Sequence, residues 1–281
     1  MLKFAKHCRV MRGEPVRTIA LTNQKGGVGK TTTAVNLAAS LAHYGRRVLL
    51  VDCDAQTNAT LSFGLDARKL EATVYDLFTG EARAEDVIVR YSDKLHVIPS
   101  TPDLAGGEAE KAPAAARGQA LKQALGHLTG YDFLLVDCPP TLGLINVNVL
   151  VFVEEVIIPM QCQFFALQGI SLLLKTIDLV QKRVNPRLRI TGVLPCMFDG
   201  RTTLSKEVLE EIRRHFGDKV YKTKIRTNVR LAESPSFGKP VLDYAPESNG
   251  AHDYLSLARE VLGLPEEGTE PAKEMPKQET A

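Results

Sequence analysis

No window of the 281-residue chain approaches the roughly 18 uninterrupted apolar residues that a membrane-spanning helix needs. The N-terminus is basic (Lys3, Lys6, Arg9, Arg12, Arg17) but lacks the apolar core of a secretory leader, so a cytoplasmic protein is expected. Cysteine is scarce. The five present, Cys8, Cys53, Cys138, Cys162 and Cys196, show no paired spacing of the zinc or redox type. Cys53, Cys138 and Cys196 sit in or beside apolar runs, where a thiol behaves as a small buried hydrophobe. A strong charge of either sign is also missing: 35 Lys and Arg against 33 Asp and Glu leave a net +2. Any case for nucleic acid must therefore rest on where charges cluster. There are no internal repeats. A hydrophobic content of 44% is enough for one sizeable α/β domain with a continuous core, placed between Arg17 and Leu264. Residues 1–16 read as a flexible basic leader and 265–281 as a disordered acidic tail.

What the chain does have is a glycine-rich stretch, Asn23-Gln24-Lys25-Gly26-Gly27-Val28-Gly29-Lys30-Thr31-Thr32-Thr33. The short apolar run Thr18–Leu21 precedes it with the look of a buried strand. Ala34, Leu37, Ala38 and Leu41 follow at helical spacing. Strand, loop and helix make a phosphate cradle, in which backbone N–H groups turn toward an anion and the helix N-terminus adds its positive end. The closing Gly29-Lys30-Thr31 matches the P-loop pattern, so Lys30 should reach the β- and γ-phosphates and Thr31 should hold Mg²⁺. Gln24 stands where the standard pattern has glycine, and a second lysine, Lys25, opens the loop.

Further apolar runs, Arg47–Asp52, Leu95–Pro99, Phe133–Asp137, Val156–Pro159 and Ile190–Leu194, alternate with helical patterns. These cover Val74–Phe78, the alanine-rich Ala105–Leu128 (interrupted by Pro113 and Gly118), Gln168–Val184, Leu204–Phe216 and His252–Leu262. Such alternation predicts a mostly parallel, doubly wound α/β sheet with helices on both faces. His96, alone in its strand, reads as structural. In an open parallel sheet the ligand binds at the carboxyl ends of the strands. Asp52 and Asp54 end the second run there, and Asp137 ends the fourth in Leu134-Leu135-Val136-Asp137-Cys138-Pro139-Pro140. An apolar strand closing on aspartate has the Walker-B shape, whose carboxylate orients the Mg²⁺ shell. Asp52 reads equally well as a cap.

The loop resembles that of the deviant-Walker ATPases, the family of ParA, Soj and MinD, whose loop reads Lys-Gly-Gly-x-Gly-Lys-Thr. The resemblance implies ATP and Mg²⁺ as cofactors, bound by Lys25, Gly26, Gly27, Val28, Gly29, Lys30, Thr31 and Thr32, with Thr31 and Asp137 at the metal. It implies that Lys25 reaches the partner's ATP across an ATP-dependent homodimer. It also implies that Asp54, in Asp52-Cys53-Asp54-Ala55-Gln56-Thr57-Asn58-Ala59-Thr60, positions the attacking water. The catalytic set is then Lys25, Lys30 and Asp54. Ala55 replaces the family's proline and Thr57 its usual glycine. Gln163–Gly169, Met197–Thr202 and Asn228–Pro240 extend the resemblance over most of the chain, the last block on the ParA/Soj side. Arg226 replaces a proline that in relatives borders the adenine, whereas Asn228 keeps its place.

Lys222, Lys224 and Arg226 alternate at period two and would share one face of a strand, with Arg230 and Lys239 nearby. On their own they fit a solvated edge strand as well as a phosphate-gripping patch. With the resemblance they imply nonspecific binding of double-stranded DNA by the dimer. The implied function is a partitioning switch for chromosome or plasmid cargo, nucleoid-associated, with slow hydrolysis stimulated by a ParB/Spo0J-like activator. A MinD-like membrane-cycling ATPase is the alternative. It would need a basic amphipathic C-terminal helix, and the tail lacks large apolar residues apart from Met275. Nitrogenase-reductase-like electron transfer would need cluster-bridging cysteines, and only Cys138 is near the Walker-B strand.

Overall fold

Two five-residue runs, Val48–Asp52 and Phe133–Asp137, are buried along their whole length, as strands covered on both faces must be. The computed structural model describes residues 15–106, 118–164, 166–167 and 169–265. The leader before Pro15, the tail after Pro265 and part of the alanine-rich stretch (107–117) lie outside the described residues. Cys8 does too.

The strands β1 (Arg17–Leu21), β2 (Val48–Asp52), β3 (Val89–Arg90), β4 (Leu95–Ile98), β5 (Phe133–Asp137), β6 (Glu155–Gln161) and β7 (Arg189–Cys196) form one sheet in the order β3-β4-β2-β5-β1-β6-β7. All pairings are parallel except β3 with β4. Alternate residues feed two cores. Ile19, Leu21, Leu50 and Leu135 face α1 (Lys30–His43), α10 (Val241–Tyr244) and α11 (Asn249–Leu262). Ala20, Val51, Val136 and Val156 face the opposite layer, which includes α3 (Val74–Thr79), α4 (Ala84–Val87), α5 (Ala120–Leu125), α6 (Leu144–Phe152), α7 (Ile170–Arg183) and α8 (Thr203–Phe216). The start of β1 is fastened to β6 by Arg17, whose Nε and Nη2 each donate to Glu155 at 2.8 Å. Because β1 is flanked by β5 and β6, the loop after it opens at the centre of the sheet's carboxyl edge, where an α/β sheet binds its ligand.

Three local differences from the sequence expectation have physical causes. The alanine-rich helix is confined, among the described residues, to a 3₁₀ turn at Pro102–Gly106 and α5. Leu144–Phe152 has no helical signal, being rich in Val and Asn, which are weak helix formers. It is a helix because it is packed against the sheet and neighbouring helices, with Asn148 Nδ2 bonding Leu144 O at 3.0 Å. The stretch Lys222–Arg226 is not a regular strand. It runs beside β7 with only isolated bridges, Val193 to Val220 and Phe198 to Arg226. The N–H groups of Tyr221 and Ile225 reach Val193 O and Pro195 O on β7. Those of Lys222, Thr223 and Arg226 are taken by the carboxylates of Glu260 and Asp253 on α11, so no continuous ladder forms.

Candidate nucleotide site

The loop from Asn23 to Gly29 is shaped by its own polar groups. Asn23 Oδ1 accepts the Lys25 N–H at 3.1 Å, and its Nδ2 donates to Pro159 O on β6 at 2.8 Å. Gln161, also on β6, donates to Gly27 O at 3.0 Å. Neither Asn23 nor Gln161 was singled out from the sequence, although Asn23 lies inside the motif. Gly29 adopts φ 95°, a left-handed turn that suits glycine, and opens α1 with no side-chain cap. The first-turn N–H donors of α1 are thus left facing the loop, which is what an anion needs. Gly26 and Gly27 are exposed and Val28 is buried beneath them.

The two lysines have different surroundings. Lys30 is 7% exposed, and its Nζ folds back onto Lys25 O at 3.3 Å. Burial lowers its pKa, opposed by Asp137. Lys25 is half-buried at the rim, and its ammonium makes no hydrogen bond or ion pair with any described residue.

β2 and β5 pair in register Asp52 with Asp137, which brings the acidic loops together as expected. Asp137 is wholly buried, and neither oxygen has a hydrogen-bond partner among the described residues. Burial pushes its pKa well above the carboxylate range and Asp52 adds to this; Thr31 and Lys30 pull the other way. Two orphaned carboxylate oxygens next to the P-loop threonine fit Mg²⁺, which is held through one or two protein oxygens together with phosphates. Asp52 is spent locally. Its oxygens accept Asp54 N at 3.1 Å, Thr60 N at 2.8 Å and Thr60 Oγ1 at 2.7 Å, which fixes α2 (Asn58–Ser62). Burial raises the Asp52 pKa to about 6. Asp54 is buried, 8% exposed, one oxygen accepting Gln56 N at 3.0 Å. Thr57, in the family's glycine position, is left-handed with φ 56° and ψ 22°.

Beside Gly29 and Thr32 lies a cavity of about 220 Å³, walled by Cys196, Met197, residues 225–228, Leu231, Ala232 and Tyr254. Its lining is largely apolar and its size suits a purine ring. Asn228 stands on this wall, where its Oδ1 accepts Arg230 N at 2.8 Å and caps α9 (Val229–Glu233). Arg226 leaves the cavity open, because its guanidinium turns to Asp253, with Nη2 to Oδ1 at 2.6 Å.

The basic residues are not one strand face. Lys222, Lys224 and Arg226 do line a common groove of about 720 Å³ with Arg259, and the Lys224 ammonium stands 5.2 Å from the centre of the Phe198 ring. Arg226 is tied to Asp253 and Arg230 to Glu233 at 2.8 Å, so neither guanidinium is an uncommitted cation. Arg230 and Lys239 lie outside the groove lining. His96 is structural, its Nδ1 2.8 Å from Tyr131 Oη. Cys53, Cys138, Cys162 and Cys196 are buried free thiols.

A family model described as an AAA domain matches residues 16–190. The chain is 51% identical over 247 residues to the sporulation initiation inhibitor protein Soj of Bacillus subtilis, covering 87% of this chain and 98% of that one. It is 50% identical over 252 residues to the chromosome-partitioning ATPase Soj of Thermus thermophilus, covering 90% and 98%. Among solved structures it resembles a cobyrinic acid a,c-diamide synthase from Mycobacterium smegmatis with bound ADP and magnesium. That match has a TM-score of 0.78 at 37% identity and covers 88% of this chain and 94% of that one.

Proposed function

The chain belongs to the ParA/Soj family of chromosome-partitioning ATPases, and from that premise we propose that it is a dimerisation switch run by ATP. It hydrolyses ATP with Mg²⁺ as cofactor. Lys30 and the loop N–H groups hold the phosphates, and Asn228 borders the adenine. Thr31 and Asp137 would hold Mg²⁺, which would offset the charge of the phosphates. Asp54 orients the attacking water.

The observation that carries the reading is the contrast between the two lysines. Lys30 already serves its own loop, whereas the ammonium of Lys25, half-buried at the rim, has no partner among the described residues. A cation so placed has a use if a second protomer brings its nucleotide to it. Two protomers closing over ATP would each complete the other's site, which makes hydrolysis slow in the lone subunit. The dimer would also double the groove of Lys222 and Lys224 into a surface for double-stranded DNA phosphates, without base reading. A ParB-like activator then stimulates hydrolysis and frees the dimer from the nucleoid. No described helix is long and apolar enough to cross a membrane.

Lys25→Ala tests the switch. Size-exclusion chromatography with ATP and Mg²⁺ should show a dimer for the parent and a monomer for the variant, while ADP still binds to both. A variant that dimerises normally with ATP would refute the role given to Lys25.

A further inference from the structure

The wall of the base cavity is held from outside the cavity. Residues 225–228 carry arginine at 226, where the family's usual wording has proline. Proline holds an extended segment through its locked φ; arginine supplies no such restraint. Here the restraint comes from α11. Asp253 accepts the Arg226 backbone N–H at 2.9 Å, and the guanidinium Nε and Nη2 at 3.0 Å and 2.6 Å. Asp253 is only 7% exposed, so the carboxylate is shielded, while the Arg226 side chain, 46% exposed, reaches it from the solvent side. The next residue, Tyr254, lines the same cavity, and its hydroxyl meets Thr33 Oγ1 of α1 at 3.2 Å. One turn of α11 therefore fixes both the back of the cavity and its rim.

We propose that Asp253 is a positioning residue for the base of ATP, acting through Arg226. The carboxylate holds the 225–228 wall at the spacing a purine ring fills; without it the wall relaxes toward the Lys222–Lys224 groove, which Arg226 also lines. This rests on the reading that the cavity takes the base. Phosphate binding at the P-loop does not depend on that wall, so the two parts of a nucleotide should respond differently.

The test is calorimetric titration of the full chain with ADP and with inorganic pyrophosphate, each with Mg²⁺, for the parent, Asp253→Asn, Arg226→Gln and their combination. Each single variant should weaken ADP about five- to tenfold, and the double variant should be no weaker than either, as expected for two groups of one hydrogen-bonded unit. Pyrophosphate affinity should stay within about twofold, since its site is untouched. Arg226 is the more exposed partner, so Arg226→Gln supplies the same readout if Asp253→Asn folds poorly. Parallel losses for ADP and pyrophosphate would mean that Asp253 only staples the fold, and additive losses would mean that it does not act through Arg226. Either result overturns the proposal, as does unchanged ADP affinity. Ala232→Phe separates the two readings by filling the cavity mouth. If it blocks ADP while Asp253→Asn does not, only the positioning role falls. If it too leaves ADP binding intact, the base lies elsewhere and both readings fall.

Discussion

Thr57 holds a backbone conformation that its own side chain opposes, and relieving it should stabilise the chain. At φ 56° and ψ 22° the residue is left-handed, and it is β-branched. A left-handed non-glycine residue costs about 1–2 kcal/mol, while glycine gives back about 0.5–1 kcal/mol through the freedom it adds to the unfolded chain. The side chain caps nothing, so its loss forfeits little. Thr57→Gly should therefore gain about 0.5–1 kcal/mol, which for a domain of this size raises Tm by about 1–4 °C. Differential scanning calorimetry of the apo protein measures this directly. Thr57→Val keeps the branching and should not gain, and Thr57→Asn, which tolerates the left-handed region, should fall between. A Tm that falls in Thr57→Gly would show that the threonine contributes packing larger than its strain. Thr57 N bonds Asp54 O at 2.9 Å, a backbone bond that glycine keeps, so the gain in stability should leave the turn carrying Asp54 in place.

Asp137→Asn should stabilise the apo protein, because it removes an unpartnered buried carboxylate, yet abolish the extra stabilisation that Mg²⁺ gives to ADP binding; thermal shifts with and without Mg²⁺ read both. Gly238 has φ 62°, and a Cβ there would lie 2.6 Å from Gly64 Cα, so Gly238→Ala should cost about 1–3 kcal/mol in urea unfolding, with Gly26→Ala, in open space, costing less. DNA affinity should fall steeply with salt and ignore sequence. Lys224→Ala should reduce the salt slope by about one, and Arg230→Ala, already paired with Glu233, by less; a sharp preference for one operator would contradict this.

The parts of the site that lie on one continuous stretch were legible in the sequence: the strand, loop and helix around Lys30, and the aspartates ending β2 and β5. They follow from local pattern and from the rule that parallel strands gather their carboxyl ends. Asp52 was undecidable because its role depends on Thr60, which reaches it only once α2 turns back. The cavity beside Gly29 was legible only in part. Its walls come from α1, β7, α9 and α11, and no periodicity links Arg226 to Asp253. Period two placed Lys222 and Lys224 on a common groove, but the strand that the pattern implied was prevented by carboxylates arriving from α11.

Those same carboxylates settle how this sheet meets other molecules. At one margin β7 is shadowed by a stretch whose amides are shared between it and Glu260 and Asp253, so few unclaimed groups remain there for a stranger's backbone. At the opposite margin β3 is two residues long, too short a template to seed a neighbour. Neither margin therefore offers the long open template on which copies of this protein could zipper together into a fibre.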